Sequence, residues 1–526
     1  MQTEVTSPSP VSRTSRFLGG LVMTYGYQGL LVFAGFWLMP FYLGRIGQHD
    51  YGLWLIGTQL LTYLTLTDFG VVALLPLETA YATGRAGGSE NAHELQLVVG
   101  QTARIVLYQL PIVLALAVGL WLTIPGDWRV LQGPLAVVLA AFVIAFPLRL
   151  LPALLHGLQD LAFANGLQSV VWIVSSAATV LMVLAGWKLY ALALGWLISQ
   201  VAMTPLCAYR LWTRFPQVLP RKLPPLDRSA LKTQLGKGFW ISVAQVAQLL
   251  TSNTDMVIIG RLLAPTAVVP YSFTGKLPNV LGNQANIMMQ TATPALCELR
   301  TSESKQRIFQ VLAALSQGML AFSGLVVCVV IVINHWFVDW WVASRHYGEQ
   351  YGGFALTAAI LMSMVVRHWT ATTAYTVFCF GHQRRISLTN LSDGLVTAAC
   401  SLAATAAWGV IGAPLGSMAG ACLVSLPANL MMIARDTDST APKLAGAMLG
   451  GWSWRFVILA GIAAWVALHW SPHNLLEAGL AAGAMGAAYG IVMLPILLRP
   501  PLGNYVRPLI SSFRAKYAAL QMRFSS

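Results

Sequence analysis

The sequence predicts an all-α polytopic membrane protein with about fourteen transmembrane helices: two six-helix lobes and two further helices at the C-terminal end. Three observations carry this. Hydrophobic residues make up 56% of the 526 residues and charged residues only 10%, with a mean hydropathy of +0.65. That balance suits a chain whose solvent is lipid and not a soluble domain with one buried core. Apolar stretches long enough to cross a hydrocarbon layer of about 30 Å recur along the whole length. A basic, proline-containing break at 210–238, too polar to span, separates six such stretches from the next six.

In chain order the apolar spans lie near 17–41, 51–77, 98–124, 133–155, 165–186 and 189–209, then 238–260, 267–293, 309–333, 352–380, 389–407 and 411–433, and finally 455–470 and 475–498. This gives an N-terminal lobe over 1–212, a cytoplasmic basic linker over 213–237, a C-terminal lobe over 238–436, and a last pair of helices with a basic tail over 437–526. The first apolar stretch is about as long as a full span and is followed by no small-residue cleavage pattern, so it reads as the first transmembrane helix and not as a signal peptide.

The net charge of +14 raises the question of nucleic acid, and the distribution of the basic residues answers it. With the N-terminus placed inside, Arg13, Arg16, Arg85, Arg104, Arg149, the run from Arg210 to Lys237, Arg300 to Arg307, Arg384, Arg385, Arg435 to Arg455 and Arg499 to Arg523 all collect on one side. The other side keeps Arg45, Arg129, Lys188, Arg261 and Arg345. By the positive-inside rule both termini are expected to be cytoplasmic, and no nucleic-acid partner is implied. Cys207, Cys297, Cys328, Cys379, Cys400 and Cys422 lie in or beside apolar segments without CxxC spacing, and read as small buried side chains instead of metal ligands.

The two sets of six begin alike. Leu43-Gly44-Arg45-Ile46 closes one long span and Tyr51 opens the next; Ile259-Gly260-Arg261-Leu262 is followed by Tyr271 and another span. Weak internal similarity of this kind is a transporter signature, since two repeats rocking about a shared site give alternating access. An even number of helices per half makes the repeats parallel.

Polar residues ruled along apolar spans mark the candidate site. Gln245, Gln248, Ser252 and Asp255 recur at steps of three and four, which keeps them on one helical face. Lys276, Asn279, Asn283, Asn286 and Gln290 do the same over roughly 21 Å of helix. So many amides and a lysine cannot face lipid, so the second stripe predicts a wall of a water-filled cavity. Thr58, Thr62, Thr65 and Asp68 draw a milder face on the second span, with Thr24 and Gln28 on the first; interhelical bonding is their plainer explanation.

Charges within spans cost at least about 2.5–3.5 kcal/mol each. Lys276 and Arg367 lie nearest mid-span and are the candidates to bind an anionic group. Asp68 and Asp255 are candidates for ion coupling, with structural counter-ions to the basic pair as their alternative. Arg104, Arg149 and Asp393 fall near cytoplasmic ends, where reaching the interface is the alternative to a role in function. His368 reads as a packing residue before a proton relay. No organic cofactor or metal is implied; a proton or Na⁺ gradient is the energy source to consider.

A membrane-embedded polymerase or glycosyltransferase would need acid, base or metal-binding residues in an extramembrane loop. The longest outer loop, 334–353, holds His335, Asp339, His346 and Glu349 among aromatic residues, a pattern better explained as an interfacial aromatic belt. No Walker A, HExxH or GxSxG sequence occurs, so a non-enzymatic role is expected.

Leu43-Gly44-Arg45-Ile46-Gly47, Asp50-Tyr51-Gly52-Leu53-Trp54 and Thr67-Asp68-Phe69-Gly70 resemble the opening helix pair of the polysaccharide-repeat flippases of the multidrug/oligosaccharidyl-lipid/polysaccharide exporter superfamily. Asp255-Met256-Val257-Ile258-Ile259-Gly260-Arg261, followed by Tyr271 and Pro294, resembles the same family's second-lobe opening. The departure is Ala264 to Pro270, where relatives often carry a glycine-containing turn. The resemblance implies two lobes about a central cavity, with the last two helices outside it. It also implies transport of undecaprenyl-pyrophosphate-linked oligosaccharide from the cytoplasmic to the periplasmic leaflet, driven by ion gradients or membrane potential. Its implied partners are the lipid-linked oligosaccharide, membrane lipids, and a periplasmic polymerase with its chain-length machinery. Cationic cavity residues would hold the pyrophosphate, a role that reaches Lys276 and Arg367 by position alone. An ion-coupled exporter of drugs or metabolites in the same superfamily is the nearer rival, and the basic tail from Arg499 to Ser526 suits either an amphipathic surface helix or a solvated segment.

Overall fold

A continuous helix is the cheapest way for a chain to satisfy its backbone in lipid, and the computed structural model shows where this chain departs from one. It describes residues 13–84, 90–158, 160–220, 223–225, 228–284, 289, 296, 304–343 and 350–507, among which no strand occurs. Asn286, Gln290, Arg85, Cys297, Arg345, His346, Glu349 and the tail beyond Arg507 lie outside the described residues.

Two compact units divide the chain, Met1–Gln245 and Val246–Ser526, and the division falls inside the helix Arg228–Ser252. Ten candidate membrane spans occur among the described residues, and the chain is a multi-pass membrane protein. This count does not test the expected fourteen in full, since the stretch 267–293 lies partly outside the described residues; three other stretches differ for local reasons. The stretch 51–77 is cut by a 3₁₀ turn at Thr65–Asp68 into Gln48–Leu64 and Val71–Gly84. The stretch 238–260 is interrupted between Ser252 and Asp255. The segment 384–436 counts once although it folds back on itself, with Gln383–Trp408 packed along Gly412–Gly420.

In the first unit, Arg13–Ile46 ends at Gly47, whose φ of 96° lets Gln48–Leu64 begin at once; a side chain there would be strained. The corresponding joint of the second unit has no such glycine. Ala264 is extended, and Pro265 opens the helix Pro265–Thr274 with its ring-fixed φ, so the turn closes without a left-handed residue.

The second unit is built around Lys305–Ala343, a helix of 39 residues and about 58 Å. Its best apolar window is 72% buried, against 17% for Leu475–Leu498. The helices Phe354–Cys379, Trp452–His469 and Leu475–Leu498 all pack on it. Gly324 admits the Tyr489 ring, whose hydroxyl accepts from Trp452 Nε1 at 3.0 Å, so the last two helices share a core with the second lobe. Cys207, Cys328 and Cys379 are buried, Cys400 is half-buried, and Cys422 is exposed.

Candidate functional site

The polar residues of the second unit separate into an exposed face and a buried network. Gly275 ends the helix Pro265–Thr274, and helical backbone resumes over 276–284. Lys276 is half-buried, while Asn279 and Asn283, three and seven positions on, are exposed. This is the spacing that puts the ammonium and two amides on one side of a helix. Gln248 and Ser252 are exposed and bonded to each other, Gln248 Nε2 to Ser252 Oγ at 2.8 Å. Gln245 belongs to the first unit and is half-buried, with an Oε1 that accepts no bond.

Asp255 does not pair with Lys276. It opens the helix Asp255–Leu262 and accepts from Tyr271 Oη at 2.7 Å, while Arg367 lies close enough to act on its charge. That carboxylate is held by a neutral donor across a short loop.

Arg367 stands on Phe354–Cys379 and gives four hydrogen bonds to the wall around it. Nε donates to Ser417 Oγ at 3.0 Å, Nη1 to Asp393 Oδ2 at 2.7 Å, and Nη2 to Thr397 Oγ1 at 2.7 Å and the Ser417 carbonyl at 2.6 Å. Asp393 is 2% exposed and also accepts from Ser425 Oγ at 2.6 Å and Thr397 Oγ1 at 2.9 Å. The Arg367 fork, expected to face a bound anion, is thus engaged by protein acceptors here, and the Asp393 carboxylate is the hub of the network.

Small residues make this density possible. A Cβ on Gly412, Gly416 or Gly420 would lie 2.1 Å from the Ala404 backbone, 2.2 Å from the Ser401 backbone and 2.0 Å from Thr397 Oγ1, respectively. The helices Gln383–Trp408 and Gly412–Gly420 thus approach to backbone contact, as small-residue seams allow in lipid. A π-helical turn at Ala421–Ser425 follows and brings Ser425 to Asp393. The seam was legible in Gly412-x₃-Gly416-x₃-Gly420 facing Thr397, Ser401 and Thr405, a pattern the reading of charged residues passed over.

His368 is buried and meets Ser323 Oγ through Nδ1 at 2.7 Å, tying Phe354–Cys379 to Lys305–Ala343. Gly282, on the segment that carries Asn279 and Asn283, packs against Met364 and the His368 ring. His368 accordingly ties the long core helix to the helix that carries it and packs against the polar-faced segment.

In the first unit Asp68 is 2% exposed. Its Oδ1 accepts from the Gly70 N–H at 2.9 Å, and Gln109 Nε2 caps its backbone carbonyl at 3.1 Å. Phe69 and Gly70 both adopt positive φ, 47° and 71°. Gly70 abuts Gly238, where a Cβ would lie 2.6 Å from the Gly238 carbonyl oxygen. Within the first unit the basic neighbour of Asp68 is Arg149, at 3.8 Å. Thr58, Thr62 and Thr65 bond back to Leu55, Thr58 and Thr62 carbonyls at 2.7, 3.0 and 2.6 Å, satisfying themselves within their own helix.

His335 and Asp339, expected in a loop, lie instead near the end of the helix Lys305–Ala343, where they pair at 3.1 Å; the His335 ring stacks on Tyr351, beside stacked Trp336 and Trp340.

A family model described as polysaccharide biosynthesis protein matches residues 159–351. No curated protein matches the chain in sequence. A solved structure of the lipid II flippase MurJ in an inward closed conformation superposes with a TM-score of 0.66 at 10% identity, over 91% of this chain and 99% of that one. An inward-facing multidrug resistance MATE family transporter gives 0.62 at 10% identity, over 76% and 93%. A MOP superfamily transporter from Pyrococcus furiosus gives 0.50 at 14%, over 81% and 95%. The fold is that of the MOP-superfamily transporters. These matched structures are transporters and flippases, and residues 159–351 of this chain, which shares their fold, are similar to the polysaccharide biosynthesis protein family model.

Proposed function

We propose that the protein is a flippase that carries undecaprenyl-pyrophosphate-linked oligosaccharide repeat units from the cytoplasmic to the periplasmic leaflet of a bacterial inner membrane by alternating access. Both termini are cytoplasmic in this proposal. The observation that carries it is the coincidence of a polysaccharide-biosynthesis family match with a fold shared by the lipid II flippase MurJ. A diphosphate needs cationic and amide donors in a low-dielectric setting. Lys276 with Asn279 and Asn283 supplies them on one face, and Asn286, Gln290, Gln245, Gln248 and Ser252 are further candidate donors for phosphate or sugar hydroxyls. Arg367 acts at one remove, holding the wall in place. Asp68 and Asp255 are the candidate proton or Na⁺ couplers, and a periplasmic polymerase with its chain-length machinery consumes the product.

The test uses the full chain in proteoliposomes with a fluorescent polyprenyl-diphosphate oligosaccharide, following its arrival in the opposite leaflet with and without an imposed pH or Na⁺ gradient. Wild-type protein is expected to translocate it, and Lys276→Ala to lose most of that activity while still inserting. Wild-type protein that leaves the glycolipid in place but exports a cationic dye would instead support a drug or metabolite exporter, the reading favoured by the MATE likeness.

A further inference from the structure

The first unit holds a half-buried arginine that the proposed headgroup contacts do not include. Arg149 closes the 3₁₀ turn Pro147–Arg149, and Asp68 closes the 3₁₀ turn Thr65–Asp68. Both turns pack against Glu90–Leu122, the helix that carries Gln109. Helix interruptions of this kind expose backbone polar groups and are found where a membrane helix serves a site.

The ion pair between them is incomplete. Asp68 Oδ1 is taken by the Gly70 N–H, and Oδ2 stands 3.8 Å from Arg149 Nη2, beyond hydrogen-bond range. Arg149 Nη1 is buried and has no acceptor, and Gln109 Oε1 beside the same turn is buried without a donor. The rings of Phe142 and Phe146 flank the guanidinium, with centroids 5.9 and 5.8 Å from its central carbon. Such contacts attract the cation's face and leave its N–H edge unserved. The side chain as a whole is 30% exposed, while Nη1 itself is buried. A charged donor left unpaired in the interior is costly, and Asp68 cannot relieve it while the Gly70 N–H fixes its carboxylate to the turn.

The geometry points to Arg149 as an anion-binding residue of the first unit, whose guanidinium exchanges Asp68 for a phosphate group of the cargo. A phosphate presents oxygens at the spacing of the guanidinium fork and accepts from two N–H groups at once, which the anchored Asp68 does not. This inference rests on the proposed function, since the anion is taken to be the cargo's diphosphate. Asp68 then acts as the partner that holds the cation when cargo is absent, so cargo and carboxylate compete for one guanidinium. The carboxylate's part is a positioning one.

The experiment measures calorimetric binding of farnesyl diphosphate to the full chain in phosphatidylcholine nanodiscs, with farnesol as the uncharged control. Arg149→Gln is expected to weaken binding about ten-fold or more, the scale of a lost charge-assisted bond. Arg149→Lys, which keeps the charge but loses the fork, is expected to fall between it and wild type. Asp68→Asn is expected to tighten binding, because it removes the competing charge and keeps an oxygen for the Gly70 N–H. Wild-type affinity in Arg149→Gln would overturn the inference; so would weakening in Asp68→Asn equal to that in Arg149→Gln, which is what a purely structural pair predicts. Should Arg149→Gln not fold, the opposite signs expected for Arg149→Lys and Asp68→Asn decide the matter. Displacement of the probe from Arg149 by added phosphatidylglycerol would assign the site to lipid headgroups and overturn the cargo assignment. Binding lost in Lys276→Ala but not in Arg149→Gln leaves the flippase proposal standing and this inference overturned, whereas no binding by wild type overturns both.

Discussion

Each unit places an arginine beside an aspartate, and the two pairs are built to opposite specifications. Arg367 and Asp393 sit on uninterrupted helices, meet at 2.7 Å, and share hydroxyl and carbonyl partners until the guanidinium fork is filled. Arg149 and Asp68 sit on 3₁₀ interruptions, approach only to 3.8 Å, and leave an Arg149 N–H without an acceptor. In a low-dielectric interior a pair is held firmly only when its remaining donors and acceptors are also satisfied. The first condition describes a fastener, and the second a charge whose partner can be replaced. The two arginines therefore play different parts, and what separates them is how well their helices let them pair.

The largest effect that would break this comparison lies in the second unit. Asp393→Leu leaves the Arg367 guanidinium buried beside the seam without its counter-charge, and the expected destabilisation is about 3–5 kcal/mol. The double change Arg367→Leu with Asp393→Leu should recover much of that loss, because well-packed apolar groups can replace a buried pair. Thermal unfolding of the detergent-solubilised variants reads both quantities. A single Asp393→Leu variant as stable as wild type would show that the network fastens nothing.

A smaller effect belongs to the seam that brings the network together. Gly416→Ala places a methyl 2.2 Å from the Ser401 backbone, where no side-chain rotation can relieve it. The helices must part, at an expected cost of about 1–3 kcal/mol. Gly479→Ala is the matched control: it lies on an exposed helix face with nothing within 4 Å and should lose no stability. Equal melting temperatures for the two variants would mean that close approach is not what positions Asp393.

Much of this architecture was visible in the sequence, and the parts that were not share a cause. Composition and apolar length expose the membrane-spanning helices because every turn contributes to the signal. The interruptions at Thr65–Asp68 and Pro147–Arg149 are short, and their residues, a Thr-Asp pair and a Pro-Leu-Arg triplet, are compatible with a continuous helix until tertiary packing selects otherwise. Lys276, Asn279 and Asn283 stand out by their helical spacing. Arg367 stood out in the same way for its charge, yet its role depended on Asp393, Thr397, Ser417 and Ser425, between 26 and 58 positions further along the chain. Spacing on one helix identifies a polar face; it does not say which other helix answers it. The glycine repeat at 412, 416 and 420 was the one local sign of that answer.

The smallest effect concerns the first pair and is the sharpest check on the distinction. Asp68→Asn removes a carboxylate charge but keeps a side-chain oxygen in the position that accepts the Gly70 N–H, so the turn through Phe69 and Gly70 retains its cap. The charge it removes lies 3.8 Å from a partner that is 30% exposed, a geometry in which an ion pair contributes no more than about 1 kcal/mol. The expected change in unfolding temperature is accordingly slight. The same substitution at Asp393 withdraws an acceptor from Arg367 Nη1 or Thr397 and leaves the guanidinium without its counter-charge, so it should lower the transition clearly. Parallel unfolding of Asp68→Asn and Asp393→Asn measures the difference directly. A loss at Asp68 as large as at Asp393 would make both pairs fasteners, and Arg149 would then be too firmly held to exchange its partner.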